Sequence, residues 1–250
     1  MMQLLENKTC IISGASRGIG QAIAKLFYNN GANVALCSRS LDGLGDGFED
    51  LFGDTSRVFC SNIDVSQKDQ CQVFVEAVKE KFGGIDVLIN CAGIITREPT
   101  LELSQEIWQK VLDTNLNGTF YMSQLVLQDM QKKKTGSIVN IASQMAHMPH
   151  PGAAPSYECS KAAIIALTRH LALEFGQDNV RVNAISPGSI ETGLQKDMPQ
   201  DVWQEIKKNI PLGRLGHVDE AAQTALFLAS DMSSYTTGSV LYVTGGSLMN

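Results

Sequence analysis

The run Ser13-Gly14-Ala15-Ser16-Arg17-Gly18-Ile19-Gly20 decides how this chain is read. It follows a strand-like stretch, Thr9 to Ser13, and leads into a helix-length amphipathic pattern, so its glycines occupy a strand-to-helix turn. Glycines there let the backbone turn tightly and approach a pyrophosphate, while the helix N-terminus offers unpaired N–H groups and a favourable dipole. The spacing is G-x-x-x-G-x-G, which departs from the G-x-G-x-x-G dinucleotide fingerprint. A glycine cluster alone is a weak signal. Its place after the first strand and before a helix gives it weight.

Downstream, short apolar runs alternate with amphipathic segments to the end of the chain, the pattern of a parallel sheet covered by helices. The strands are expected at Thr9 to Ser13, Asn33 to Ser38, Arg57 to Asn62, Asp86 to Asn90, Ser137 to Ile141, Arg181 to Ile185 and Val240 to Val243. Helices are expected at about Gly18 to Asn29, Gln67 to Phe82, Ser104 to Lys132, Ser156 to Gly176 and Val218 to Ser230. Leu41 to Asp54 should complete the alternation, but four glycines make it a short or frayed helix. The expectation is an α/β fold: a doubly wound, Rossmann-type parallel sheet of seven strands, helices on both faces, in one domain over residues 1–250. Gln144 to Pro155 and Ser189 to Gly216 take no regular assignment. Both follow strands at the sheet edge where open α/β sheets bind ligands, so with Ile94 to Pro99 they should wall a substrate pocket.

At 44% apolar residues the chain can bury a sizeable core. A formal charge of −6 and a pI near 5.2 argue against nucleic acid and anionic membranes as partners. Lys132 to Lys134 is the one dense basic run and suits a solvated helix end. Met1 to Lys8 lacks an apolar signal core and no later run has the length of a spanning helix, so a cytoplasmic location is expected. The six cysteines show no metal-ligand spacing, so no metal is expected and buried free thiols are the default. Cys159 is turned by helical spacing away from its neighbours Tyr157 and Lys161.

Tyr157 and Lys161 are four residues apart at the start of a helical pattern, which places phenol and ammonium on one face. A phenol titrates near 10, and holding it ionised at neutral pH takes roughly 4 kcal/mol. A cation about 4 Å away supplies on the order of 4 kcal/mol at an effective dielectric near 20. The pair is therefore able to move a proton if it faces a reacting oxygen.

The glycine run, with Ser13 where Thr is usual, resembles that of the short-chain dehydrogenase/reductase family, and further motifs follow in family order. Asn90-Cys91-Ala92-Gly93 is similar to N-N-A-G with Cys in second place, and Asp64-Val65 looks like the segment that meets adenine. Asn115, in Asn115-Leu116-Asn117-Gly118, matches the helix-interrupting Asn. Ser143 lies fourteen residues before Tyr157, and Pro187-Gly188 with Ile190 and Thr192 looks like the nicotinamide-end segment.

The resemblance implies catalysis by Ser143, Tyr157, Lys161 and Asn115. Tyr157 would be the general acid or base, Lys161 its pKa-lowering partner and a ribose ligand, and Ser143 the donor to the reacting oxygen. Asn115 would order a water leading protons to Lys161. Cofactor contacts are implied for Gly14, Ser16, Arg17, Gly18, Ile19, Gly20, Ser38, Arg39, Asp64, Val65, Asn90, Ala92, Gly93, Tyr157, Lys161, Pro187, Gly188, Ile190 and Thr192. Ser38 stands where NAD-preferring members carry an Asp, and Arg39 and Arg17 would meet a 2′-phosphate. NADP(H) is thus the expected cofactor, with NAD(H) the alternative.

His147 and His150 have no carboxylate pair nearby and are expected to line the pocket or face solvent. Met145, Met148 and Met198 should provide flexible apolar filling. The substrate reading leans to a small-molecule sugar acid or polyol, with a 3-oxoacyl thioester as the alternative. An acidic carrier protein would need basic residues at the pocket mouth; Lys132 to Lys134 could contribute, whereas Gln177-Asp178-Asn179 adds no positive charge. A nucleotide-sensing regulator would lack the Tyr or Lys, and an extended-family epimerase would need a larger C-terminal region than this sequence carries. The resemblance also implies a homotetramer, a dimer of dimers, built through the 104–132 and 156–176 helices and the last strand.

Overall fold

All seven expected strands pair in parallel. They are β1 (Thr9–Ser13), β2 (Asn33–Ser38), β3 (Val58–Asn62), β4 (Val87–Asn90), β5 (Gly136–Ile141), β6 (Val180–Pro187) and the last strand, β9 (Val240–Val243), in the order β3-β2-β1-β4-β5-β6-β9. The structure, a computed structural model, describes residues 3–41, 51–150, 152–192 and 200–249, and of 200–203 the backbone only. Most of the weak helix expected over 41–54, Met198, and parts of the 144–155 and 189–216 segments lie outside the described residues.

The order reverses direction at β1 and β4, and this switch point opens a crevice at the carboxyl ends of the central strands. Strands β1 and β5 are buried almost throughout, which explains their near-continuous apolar runs.

Helices α1 (Gly18–Asn29) and α7 (Val218–Ala229) cover one face of the sheet, packing Ile23, Phe27 and Ala225 against Ile12 and Leu36. On the other face α2 (Lys68–Phe82) packs Phe74 and Val78 with Met122, Val126 and Met130, which come from a long helical arm. That arm is not the single helix expected over 104–132. It runs as α3 (Gln105–Leu112), a π-helical turn over Asp113–Asn117, and α4 (Gly118–Lys133). Helix α5 (Pro155–Phe175) carries the Tyr-x-x-x-Lys pair, starts with Pro at its first turn, and lies against β6.

Other boundaries also differ. Thr55–Arg57 forms a 3-10 turn before β3. Asp86 directly precedes β4, its carboxylate accepting the Thr9 N–H at 2.8 Å. The 189–216 segment is more regular than its sequence suggests: β7 (Ile190–Glu191) pairs with β8 (Gly216–His217), and α6 (Gln200–Lys208) lies between them. Among the described residues no helix is long and apolar enough to cross a membrane.

Candidate active site

The loop from β1 to α1 is folded around its glycines. Gly14 has φ +68°, and a Cβ there would lie 2.7 Å from the Ala92 backbone, so the loop rests directly on the chain leaving β4. The Ser13 hydroxyl fixes that junction, accepting the N–H groups of Cys91 (3.1 Å) and Ala92 (3.2 Å) and donating to the Ile89 carbonyl (3.3 Å). A hydroxyl is needed there, and Ser supplies it as Thr would.

No side chain caps the N-terminus of α1, whose first-turn N–H groups therefore await an acceptor. In front of them, a Cβ on Gly18 would meet, among the described residues, only the Thr192 side chain, at 3.5 Å. An uncapped helix start with an open mouth beside it fits a pyrophosphate.

Ser38 and Ser16 are linked through their hydroxyls at 3.2 Å. Beyond them a cleft of about 630 Å³ is lined by Arg39, Asp64, Lys110 and Thr114, among others. It has the place for the adenosine end of a dinucleotide, with the Arg39 and Lys110 cations set among Asp64, Glu106 and Asp113. The Asp64 carboxylate holds its own turn through Ser66 N–H (3.0 Å) and Ser66 hydroxyl (2.8 Å), and Val65 is buried behind it.

Asn90 does not face this crevice. Its amide donates to Ser123 (3.0 Å) and Asn140 (2.9 Å), so its side chain is an interior strut between β4, β5 and α4. Gly93 does face the reacting end, since a side chain there would meet Asn115 Oδ1 at 3.3 Å and Lys161 Nζ at 3.4 Å.

The fold brings Ser143, Tyr157, Lys161 and Asn115 together. Ser143 follows β5 and caps a 3-10 turn, its hydroxyl accepting the Met145 N–H at 3.2 Å. Tyr157 reaches the same point from the first turn of α5. Burial raises its phenol above the ordinary value, and the neighbouring Ser143 hydroxyl pulls it part of the way back.

Lys161 is buried, donates to the Ile141 carbonyl at 2.6 Å, and has its nitrogen 5.8 Å from the centre of the Tyr157 ring. Burial brings its pKa down to about 8, against a smaller upward pull from Cys91. On sequence grounds the cation takes the leading part in the phenol's pKa; in the structure burial leads, and the ammonium is engaged by the Ile141 carbonyl.

Asn115 sits at the centre of the π turn. Its carboxamide accepts the Ile94 N–H (2.8 Å) and donates to the Ile94 carbonyl (2.9 Å) and the Ser160 hydroxyl (3.0 Å). The break in the helix thus clamps the loop after β4 to the helix bearing Lys161.

Sequence reasoning passed over three contributors. Cys91 is close enough to act on both Tyr157 and Lys161, and burial pushes its own thiol up to about 11. Gln144, directly after Ser143, is tied to Ser247 in the last turn of the chain, 2.8 Å away. Ser160 links Asn115 to α5. A polar residue adjoining Ser143 was the available signal for Gln144; the 103 residues separating it from Ser247 hid the tie.

His147 is partly buried, 3.2 Å from the Ser186 hydroxyl and edge-on to Tyr242. His150 is exposed. Lys132 to Lys134 cannot border this pocket, because they precede β5 and lie at the opposite end of the sheet from Ser143. Lys134 is also paired with Asp178.

Comparison with known proteins gives the class. A family model described as enoyl-(acyl carrier protein) reductase matches residues 14–247. A solved short-chain dehydrogenase/reductase, a glucose/ribitol dehydrogenase from Brucella melitensis, superposes with a TM-score of 0.92 at 35% identity over 100% of both chains. The protein belongs to the short-chain dehydrogenase/reductase family, oxidoreductases that act on CH–OH and C=O groups with a nicotinamide cofactor.

Within the family it falls in the 3-oxoacyl-acyl-carrier-protein reductase branch. It is 41% identical to such a reductase from Chlamydia muridarum, over 98% of this chain and 99% of the relative. It is 40% identical to another from Thermotoga maritima, over 97% and 98%.

Proposed function

We propose that the protein reduces the ketone of a 3-oxoacyl thioester with NADPH. The observation that carries this reading is end-to-end similarity at about 40% identity to reductases of that class. It displaces the sugar-acid or polyol substrate that the sequence first suggested. The 144–155 segment agrees with it, carrying Met145, Met148 and three prolines and no Asp, Glu, Lys or Arg.

Arg39 and Arg17, with no acidic residue at the end of β2, support the 2′-phosphate and hence NADPH over NADH. When bound, the reduced nicotinamide supplies the hydride. Ser143 donates a hydrogen bond to the substrate oxygen as negative charge develops there. Tyr157 gives that oxygen its proton; its raised pKa keeps the phenol protonated and ready as an acid at neutral pH. Lys161 holds the ribose and stabilises the phenolate left behind, and Asn115 fixes both Gly93-Ile94 and the Lys161 helix. The same reading takes the enzyme to be a cytoplasmic homotetramer of single-domain chains.

The test follows nicotinamide absorbance with acetoacetyl thioesters of coenzyme A and of a carrier protein, a 2-enoyl thioester, gluconate and ribitol, each with NADPH/NADP⁺ and NADH/NAD⁺. The expected outcome is turnover of the 3-oxo thioesters with NADPH foremost, falling by about 10²–10⁴ in Tyr157→Phe. Preference for gluconate or ribitol, or for NADH, would replace the corresponding part of the reading. Tight cofactor binding with no turnover would point to a nucleotide sensor instead.

A further inference from the structure

The geometry points to Gln144 as a specificity-determining residue that binds a second oxygen of the substrate, two carbons from the carbonyl being reduced. This rests on reading the site as a carbonyl reductase.

Gln144 is the first residue beyond Ser143, and its carboxamide spans the rim between Ser143 and the Pro187-Gly188 wall. The amide oxygen accepts from the Ser247 hydroxyl at 2.8 Å, and it lies 3.0 Å from where a side chain on Gly188 would begin. Ser247 has one proton and a second acceptor in reach, the Thr244 carbonyl at 3.0 Å; the shorter contact and the Gly188 Cα–H beside it place the oxygen of Gln144, rather than its nitrogen, on the Ser247 and Gly188 side.

That orientation leaves the amide N–H pair without a protein partner among the described residues, on the residue that directly follows the one whose hydroxyl meets the reacting oxygen. A donor so placed suits the C1 oxygen of a 1,3-dioxygen compound, and a ketone with one oxygen cannot use it.

The anchor is built by the end of the chain. After β9 the backbone turns at Thr244 and Gly245, where the Gly245 carbonyl accepts the Leu212 N–H at 3.1 Å, and Ser247 then meets Gln144. Ser247 is thus a positioning residue: it acts through Gln144 and joins the pocket rim to the end of the 189–216 wall.

The experiment compares wild type, Gln144→Leu, Gln144→Glu and Ser247→Ala on ethyl acetoacetate, the acetoacetyl thioester of N-acetylcysteamine, and 2-heptanone, which has a single oxygen. Where 2-heptanone turns over too slowly, its inhibition constant serves in the ratio. Gln144→Leu and Gln144→Glu should each lower the kcat/KM ratio of ethyl acetoacetate to 2-heptanone at least tenfold, mainly through KM. Ser247→Ala should lower it less and add nothing to Gln144→Leu. NADPH fluorescence titration reports whether each variant keeps its cofactor site, and the near-isosteric Gln144→Glu carries the test should Gln144→Leu lose it.

A ratio within twofold of wild type in Gln144→Leu overturns the assignment; a ratio preserved in Gln144→Glu overturns the donor role. Failure of the thioester alone, with ethyl acetoacetate still reduced, would count against the thioester reading and leave the Gln144 ratio legible.

Discussion

At the residue scale, Lys161 is the most expensive side chain in the site. It is 4% exposed, its one hydrogen bond among the described residues goes to the Ile141 carbonyl, and burial brings its pKa from 10.5 to about 8. Between about pH 8 and 10.5 the unfolded chain holds a proton on this amine that the folded chain has released, so this group makes stability rise with pH there. Below pH 8 the full penalty applies, and at 1.36 kcal/mol per pH unit it is on the order of 3 kcal/mol. Lys161→Met should therefore be inactive yet more stable than wild type at pH 7, by up to about 3 kcal/mol, with the gap closing towards pH 10. Urea midpoints of both proteins at pH 7 and 9.5 measure it. The raised values of Tyr157 and Cys91 remove stability as pH climbs; Tyr157 titrates in both proteins, and because Cys91 and Lys161 act on each other the comparison is made in a Cys91→Ala background. A gap that does not change with pH would mean that the ammonium is not the source of the penalty.

At the scale of elements, the strands were legible because strands buried on both faces are written as short β-branched runs. The helices were legible wherever one face is apolar and the ends carry stop signals, as α1, α2 and α7 do. Asn115 and Gly118 marked a weak place in the 104–132 arm, but the π turn itself was not readable. Its extra residue per turn is selected by hydrogen bonds between Asn115 and Ile94, 21 residues earlier and on another element. Helix α6 was missed for a different reason: Val202, Trp203 and Ile206 stand at helical spacing, but Pro199, Pro211 and the glycines around them read as loop over the whole 189–216 segment. The π turn carries its own prediction. Asn115→Ala strands the Ile94 N–H and carbonyl in a partly buried place, and each such group costs about 1–3 kcal/mol. A loss of about 2–4 kcal/mol in urea unfolding is expected, together with slower turnover as Gly93 drifts from Lys161. A loss under about 0.5 kcal/mol would show that water replaces the amide at both partners.

At the scale of the whole molecule, the sheet ends in an edge that a lone chain leaves open. Strand β9 pairs with β6 on one side only, and its sequence Val240-Leu241-Tyr242-Val243 is uniformly apolar and no more than partly buried. Such an edge is a template for pairing unless it is covered. Helices α4 and α5 likewise present Phe120 at 39% exposure and Leu173 at 85%. One apolar edge and the exposed Phe120 and Leu173 on two helices would serve two independent dyads, and two dyads make the dimer of dimers proposed above. Light scattering should accordingly give four times the 27.1 kDa chain mass at micromolar concentration. Leu173→Glu, placing a charge on the helix face, should lower that mass to that of a dimer with the circular dichroism spectrum unchanged, because the β9 contact survives. A wild-type monomer would refute the assembly, and a Leu173→Glu tetramer would move the helix contact away from this face.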